Sequence, residues 1–233
     1  MPSVFLNGAF LDRGDARVSA FDAGFQHAVG LFETMSGVVR EGQARVRAID
    51  RHMSRIAQSA RELGLSDALA THALAEAVLQ TVEHAAPDLG PEGRARVRLT
   101  ITGGDLNLLQ RSTPVDPTIL IVAQAQTSYP PAMFERGARV GVASWRANPF
   151  DPAAGHKTLS YWTRLHELQL AARQGLDESL VFQITNHLAG ACVSNALIIK
   201  DGALITPIAR GAQAAVARAG ARRKAGSVSE TPG

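Results

Sequence analysis

Cysteine is nearly absent from this 233-residue chain, and so are long apolar runs. The single thiol, Cys192, excludes a disulfide framework and a zinc centre built on cysteines. The histidines at 27, 52, 72, 84, 156, 166 and 187 include no His-x-x-x-His pair, so no metal site is expected from them. The longest apolar runs, 119–123 and 197–199, are strand-length. A membrane-spanning helix needs about 20 apolar residues, so no membrane partner is expected. The opening MPSVFLNGAF lacks the basic region and apolar stretch of a secretory signal. These absences predict a cytoplasmic protein.

A surplus of positive charge is missing too, once the tail is set aside. The formal net charge is +3 and the sequence pI about 9.5, which suggests nucleic acid. From Arg210 onward, however, Arg210, Arg218, Arg222, Arg223 and Lys224 face only Glu230. That stretch carries +4 and leaves −1 on everything before it. A nearly neutral body does not predict the continuous basic face that phosphate-backbone binding needs, so no nucleic-acid partner is expected. With 45% hydrophobic and 19% charged residues, the chain reads as globular, with length for one large or two small domains.

Alternation and turn signals predict strands over 4–6 and 10–11 around Asn7-Gly8, and over 31–39 and 44–46 around Arg40-Glu41-Gly42. Apolar residues at Met53, Ile56, Ala57, Ala60 and Leu63 predict a helix from Asp50, with Gly64 as its stop. A second helix is expected over 67–85, then strands over 96–102 and 118–124. Thr127-Ser128-Tyr129-Pro130-Pro131 reads as a linker, because consecutive prolines end regular pairing. Beyond it come a strand over 139–145, a helix over 159–174, and strands over 180–184, 196–200 and 203–205. The fold class is α/β (α+β) in two lobes: a small domain over 1–126, a linker over 127–136, a larger domain over 137–209 and an atypical basic tail over 210–233.

Three stretches could carry chemistry. Lys157, in Gly155-His156-Lys157-Thr158-Leu159-Ser160-Tyr161-Trp162, precedes the expected helix. Desolvated in a cleft, its amine would become a nucleophile toward carbonyls, as Schiff-base chemistry requires. On spacing alone, a solvent-facing lysine is the commoner outcome. Ala191-Cys192-Val193-Ser194-Asn195 could present N–H and hydroxyl groups to a phosphate, or be an ordinary polar loop. Arg55, beside the apolar row of its helix, could grip a phosphate bidentately or snorkel to solvent.

Taken together, FLNGAF, VSAFDAGFQHAVGLFETM, HMSRIAQSARELGL, VRLTITGG, HKTLSYW, DESLVF and VSNALIIKDGALITP resemble the class IV, or fold type IV, pyridoxal-phosphate enzymes. That family includes branched-chain and D-amino-acid aminotransferases and aminodeoxychorismate lyase. The resemblance runs from about Phe5 to Pro207. It implies pyridoxal 5′-phosphate as cofactor, Lys157 as its Schiff-base and proton-transfer residue, and Arg55 on the phosphate. It also implies Tyr161 near the ring, Ser194 and Asn195 in the turn beside the cofactor, and Glu33 on the strand near the substrate. The implied activity moves an amino group between an amino acid and a 2-keto acid, in a homodimer. Elimination of the lyase type and a degenerate, non-catalytic member are the alternatives.

Three departures accompany the resemblance. The family's glutamate, five residues before the Asn of the final turn, is replaced by Gly190. The arginine that several members carry after the strand at 96–102 is replaced by Gly103-Gly104, leaving Arg111 as a substitute. After Pro207 the family's phosphate-gripping turn has no counterpart, so the larger domain is expected to be incomplete.

Overall fold

The computed structural model describes residues 3–105 and 117–207, which fall into two compact units. The first comprises Met1–Ser128 together with Lys157–Leu159; the second comprises Tyr129–His156 and Ser160–Gly233. Arg111 and everything after Pro207 lie outside the described residues.

In the first unit, β1 (Val4–Leu6) and β2 (Ala9–Leu11) form the expected hairpin, with Asn7 and Gly8 both at positive φ. A short helix, α1 (Ala23–His27), then leads into β3 (Gly30–Arg40), which turns back as β4 (Gln43–Val46). Helices α2 (Ile49–Glu62) and α3 (Thr71–His84) precede β5 (Arg94–Thr102) and β6 (Ile119–Ala125). The six strands are antiparallel in the order β2-β1-β6-β5-β3-β4.

Strand period two decides which residues meet the helices. Ala95, Val97, Leu99 and Ile101 of β5 are buried with Leu31 and Met35 of β3, against Met53, Ile56 and Ala60 of α2 and Leu74, Val78 and Val82 of α3. Gly64 ends α2 as expected: its N–H donates to the Arg61 carbonyl, and that of Leu65 to the Ala60 carbonyl. Leu65 is buried against the core, and α3 starts at Thr71, four residues later than its sequence predicts.

On the opposite face of that sheet, the register places Arg40 of β3, Arg45 of β4 and Arg94, Arg96 and Arg98 of β5 on one side. This local concentration is hidden in the near-zero charge of the body. The sum is correct, but it does not exclude a basic face.

In the second unit, the stretch expected as linker contains a short helix, α4 (Pro131–Arg136). Proline is tolerated in a first helical turn, where no N–H partner is needed. Strand β7 (Val140–Ala147) runs parallel to β8 (Glu178–Gln183), connected through α5 (Trp162–Arg173). Strand β9 (Leu188–Ala191) pairs antiparallel with β8. A separate hairpin, β10 (Ile198–Lys200) and β11 (Ala203–Ile205), turns at Asp201-Gly202. The buried apolar cluster here is Ala143, Val181 and Cys192, flanked by Trp145, Ala147, Leu168 and Ala189. Among the described residues no helix is long and apolar enough to cross a membrane, and no group of His, Cys, Asp and Glu could hold a metal ion.

Candidate active site

Lys157 does not sit at a helix start. The segment 157–159 lies antiparallel beside the first residues of β3: the Phe32 N–H donates to the Lys157 carbonyl (2.9 Å), and the Leu159 N–H to the Gly30 carbonyl (3.0 Å). Leu31 and Thr158 form a β-bridge, so α5 can begin only at Trp162, not at residue 159. The close approach depends on Gly30, where a Cβ would come within 2.6 Å of the Ile101 carbonyl oxygen and 2.8 Å of Leu159. Antiparallel partners share a sheet face, and Lys157 accordingly holds Nζ 4.6 Å from the centroid of the Phe32 ring. The Arg98 guanidinium carbon lies 3.8 Å from the same centroid.

Glu33, the next residue on β3, points the other way, toward α2. Its side chain is 1% exposed. Arg55 Nε donates to Oε1 at 2.6 Å, Arg55 Nη2 donates to Oε2, and His52 Nδ1 is hydrogen-bonded to Oε2 at 2.8 Å. Two nitrogens on two oxygens make the planar fork that arginine forms best. Burial pushes the Glu33 carboxyl up, but the hydrogen bonds and charges of His52 and Arg55 outweigh it and hold it below the usual carboxylate range. His52 and Arg55 are three residues apart on one helix face, a spacing visible in the sequence whose meaning depends on the strand beneath it.

The turn at 191–195 belongs to the second unit and has a different partner from the one its sequence suggests. Glu178 Oε1 accepts from the N–H groups of Ser179 (3.0 Å) and Cys192 (3.2 Å). Glu178 Oε2 accepts from the Val193 N–H (3.2 Å) and the Ser194 hydroxyl (2.9 Å). The anion cradled by these donors is the protein's own carboxylate. Asn195 is exposed. Tyr161 immediately precedes α5, with the Arg164 guanidinium 5.8 Å from its ring centre, and Arg164 also donates to the Ala191 carbonyl (2.9 Å). Gly190 has φ +145°, where a glutamate would be strained, so the backbone matches the missing carboxylate. Burial, reinforced by the charges of Glu178 and Glu167, pushes the Cys192 thiol up to about 11 against the opposing pull of Arg164.

The structure thus brings Glu33 into contact with Arg55, and places Lys157 on the same strand pairing but on the opposite sheet face. Tyr161, Ser194 and Asn195 belong to the other unit. Sequence reasoning passed over His52, Arg98 and Glu178. The first unit carries groups of the kinds a phosphorylated aldehyde requires, an amine at Lys157 and a guanidinium at Arg55 whose Nη1 lies outside its Glu33 contacts, set on opposite faces of the sheet.

The sequence pattern of the Amino-transferase class IV family matches residues 30–229. This chain belongs to that family. Its match with the class IV aminotransferases begins at β3 and continues into the stretch after residue 209 that the composition sets apart. A Methanocaldococcus jannaschii protein assigned as a branched-chain-amino-acid aminotransferase is 31% identical over 209 residues, covering 88% of this chain and 67% of that one. Among solved structures, a branched-chain aminotransferase from Thermoproteus uzoniensis with norvaline superposes with a TM-score of 0.81 at 22% identity, over 96% of this chain and 74% of its own. A 4-amino-4-deoxychorismate lyase from Pseudomonas aeruginosa gives 0.78 at 23% identity, over 98% and 80%. At these identities the structures establish the fold. The chain has the fold type IV architecture over most of its length.

Proposed function

We propose that this chain is a pyridoxal-5′-phosphate-dependent aminotransferase that moves an amino group between an amino acid and a 2-keto acid. The observation that carries the reading is Lys157, fixed by backbone pairing to β3 in the same unit as the half-buried Arg55. Pyridoxal 5′-phosphate, when bound, supplies an electron sink that lets the α-proton of an amino acid leave. Lys157 Nζ binds the cofactor covalently and moves that proton. Arg55 binds the phosphate through its outer N–H groups, and Glu33 and His52 fix the orientation of the guanidinium. The family resemblance also assigns Tyr161, Ser194 and Asn195 to the cofactor.

The working form in this reading is a homodimer. The apolar run 29–35 does not support it, because Leu31, Phe32 and Met35 are buried within the first unit. Exposed Phe21 and Phe25, flanking the start of α1, support it better.

Borohydride reduction of the cofactor-loaded protein, followed by peptide mapping, tests the assignment. The pyridoxyl mass is expected on the peptide containing Lys157. Labelling spread over Lys200 and Lys224 as well would refute it, and K157A is expected to lose turnover by on the order of 10³ or more. Release of pyruvate from aminodeoxychorismate, without amino transfer to any keto acid, would favour the lyase chemistry.

A further inference from the structure

We infer that Arg98 is a positioning residue of an electrostatic kind, which lowers the proton affinity of the Lys157 amine and so keeps more of it uncharged at neutral pH. The inference rests on the reading of Lys157 as the amine that binds the cofactor and moves the proton. Both tasks require an Nζ that can give up its own proton.

The argument begins with register. Phe32 lies between its two antiparallel partners, Lys157 on one side and Thr100 of β5 on the other, and Arg98 occupies the diagonal position on β5. All four share one face of the sheet. The Phe32 ring is buried, and both cations lie over it, Arg98 Cζ at 3.8 Å and Lys157 Nζ at 4.6 Å from its centroid. The two cationic centres are therefore at most 8.4 Å apart, the sum of those distances. A guanidinium keeps its charge at every working pH, whereas an ammonium can relieve the repulsion by losing a proton. A neighbouring cation is one of the ways a lysine amine is activated.

The same register fixes other ionisable groups. Arg96 and Arg94 share the face of Arg98 and add to the positive potential, Arg94 being paired with Glu92. The acid nearest in sequence, Glu33, is turned to the opposite face and neutralised by Arg55 and His52. The ring's own attraction for an ammonium works in the other direction. Because that attraction persists when Arg98 is replaced, the difference between wild type and variant isolates the charge. Over about 8 Å, with an effective dielectric between about 20 and 80, one positive charge moves a titration by about 0.4 to 1.5 pH units.

The chain has three lysines, Lys157, Lys200 and Lys224, so amine labelling can be read residue by residue. The full-length protein, freed of cofactor, would be trace-labelled with acetic anhydride from pH 6 to 11 and analysed by mass spectrometry. In R98M the midpoint for Lys157 is expected to rise by about one pH unit, while that for Lys200 stays where it is in wild type. R98K retains the charge and is expected to keep the wild-type midpoint. R98Q repeats the charge removal with a polar side chain, should R98M fail to fold. An unchanged Lys157 midpoint in a folded R98M or R98Q protein overturns the inference, and so does an R98K protein that shifts as far as R98M. Acetylation uses no cofactor, so this result stands apart from the borohydride test of Lys157 itself.

Discussion

The two units are held together by different means. In the first, a six-stranded antiparallel sheet buries one continuous apolar face against two helices, with Val78, Val82, Val97, Leu99 and Ile121 fully inaccessible. Two carboxylates are deeply buried there: Glu33 is matched by Arg55 and His52, and Asp22 accepts from the Gly24 N–H and the hydroxyls of Thr102 and Thr118. In the second, the apolar cluster is three residues, Ala143, Val181 and Cys192, and the strands are tied together through buried carboxylates. Glu178 accepts four hydrogen bonds at the turn after β9, and Glu167 accepts from the N–H and hydroxyl of Ser144 on β7. A large apolar core tolerates a few paired carboxylates, whereas among the described residues of the second unit polar contacts carry more of the shape.

The largest effect on this comparison is expected from E33Q. Leaving Arg55 buried without its carboxylate should destabilise the first unit by about 3–5 kcal/mol, read by urea denaturation. The same carboxyl sets a pH dependence. Its folded-state value is depressed, so its contribution is present above the unfolded value near 4.5 and is lost as pH falls through the lower folded value. Acid titration of wild type against E33Q should therefore converge at low pH. A cost below about 1 kcal/mol would show that the apolar core alone carries this unit.

A smaller effect is expected in the second unit from E178Q. An amide offers one acceptor where the carboxylate receives four donors, so the loss should be about 1–3 kcal/mol. The thiol of Cys192 should then ionise at lower pH, because the charge of Glu178 contributes to its elevation. The smallest expected signal is in wild type itself. Fully buried and pushed up to about 11, Cys192 should remain unmodified by iodoacetamide at pH 8 until the protein unfolds. Rapid modification in the native state would show that the second unit opens readily.

Much of the first unit is legible in the sequence, because its strands have one wet face and its helices have an apolar row. Alternation marks β5, spacing of three and four marks α2, and Asn7-Gly8 and Gly64 mark turns whose geometry few other residues adopt. Element starts are less legible. The expected helix at 159–174 loses its first residues because Thr158 and Leu159 are taken up by β3, a pairing between positions more than a hundred residues apart. Strand β9 and helix α1 carry too few periodic residues to be seen at all.

The candidate site divides along the same line. Lys157, Arg55 and Glu33 could be proposed from the sequence because the order of the motifs is specific to the family, although spacing alone favours a solvent-facing lysine and a snorkelling arginine. Their partners could not. That Glu33 faces Arg55 while Phe32 faces Lys157 follows from which side of β3 each side chain takes, and register alone fixes that side. That the hydroxyl of Ser194 serves Glu178 requires β8 and the turn to be adjacent. Net charge shows the same division: the sequence determines that the body sums to nearly zero, and only the pairing of β3, β4 and β5 gathers five of its arginines on one face. Composition and period are local or additive properties of a chain, so they can be read in order. Contacts depend on which strand lies next to which, and folding decides that by burying the most apolar surface, wherever it lies along the sequence.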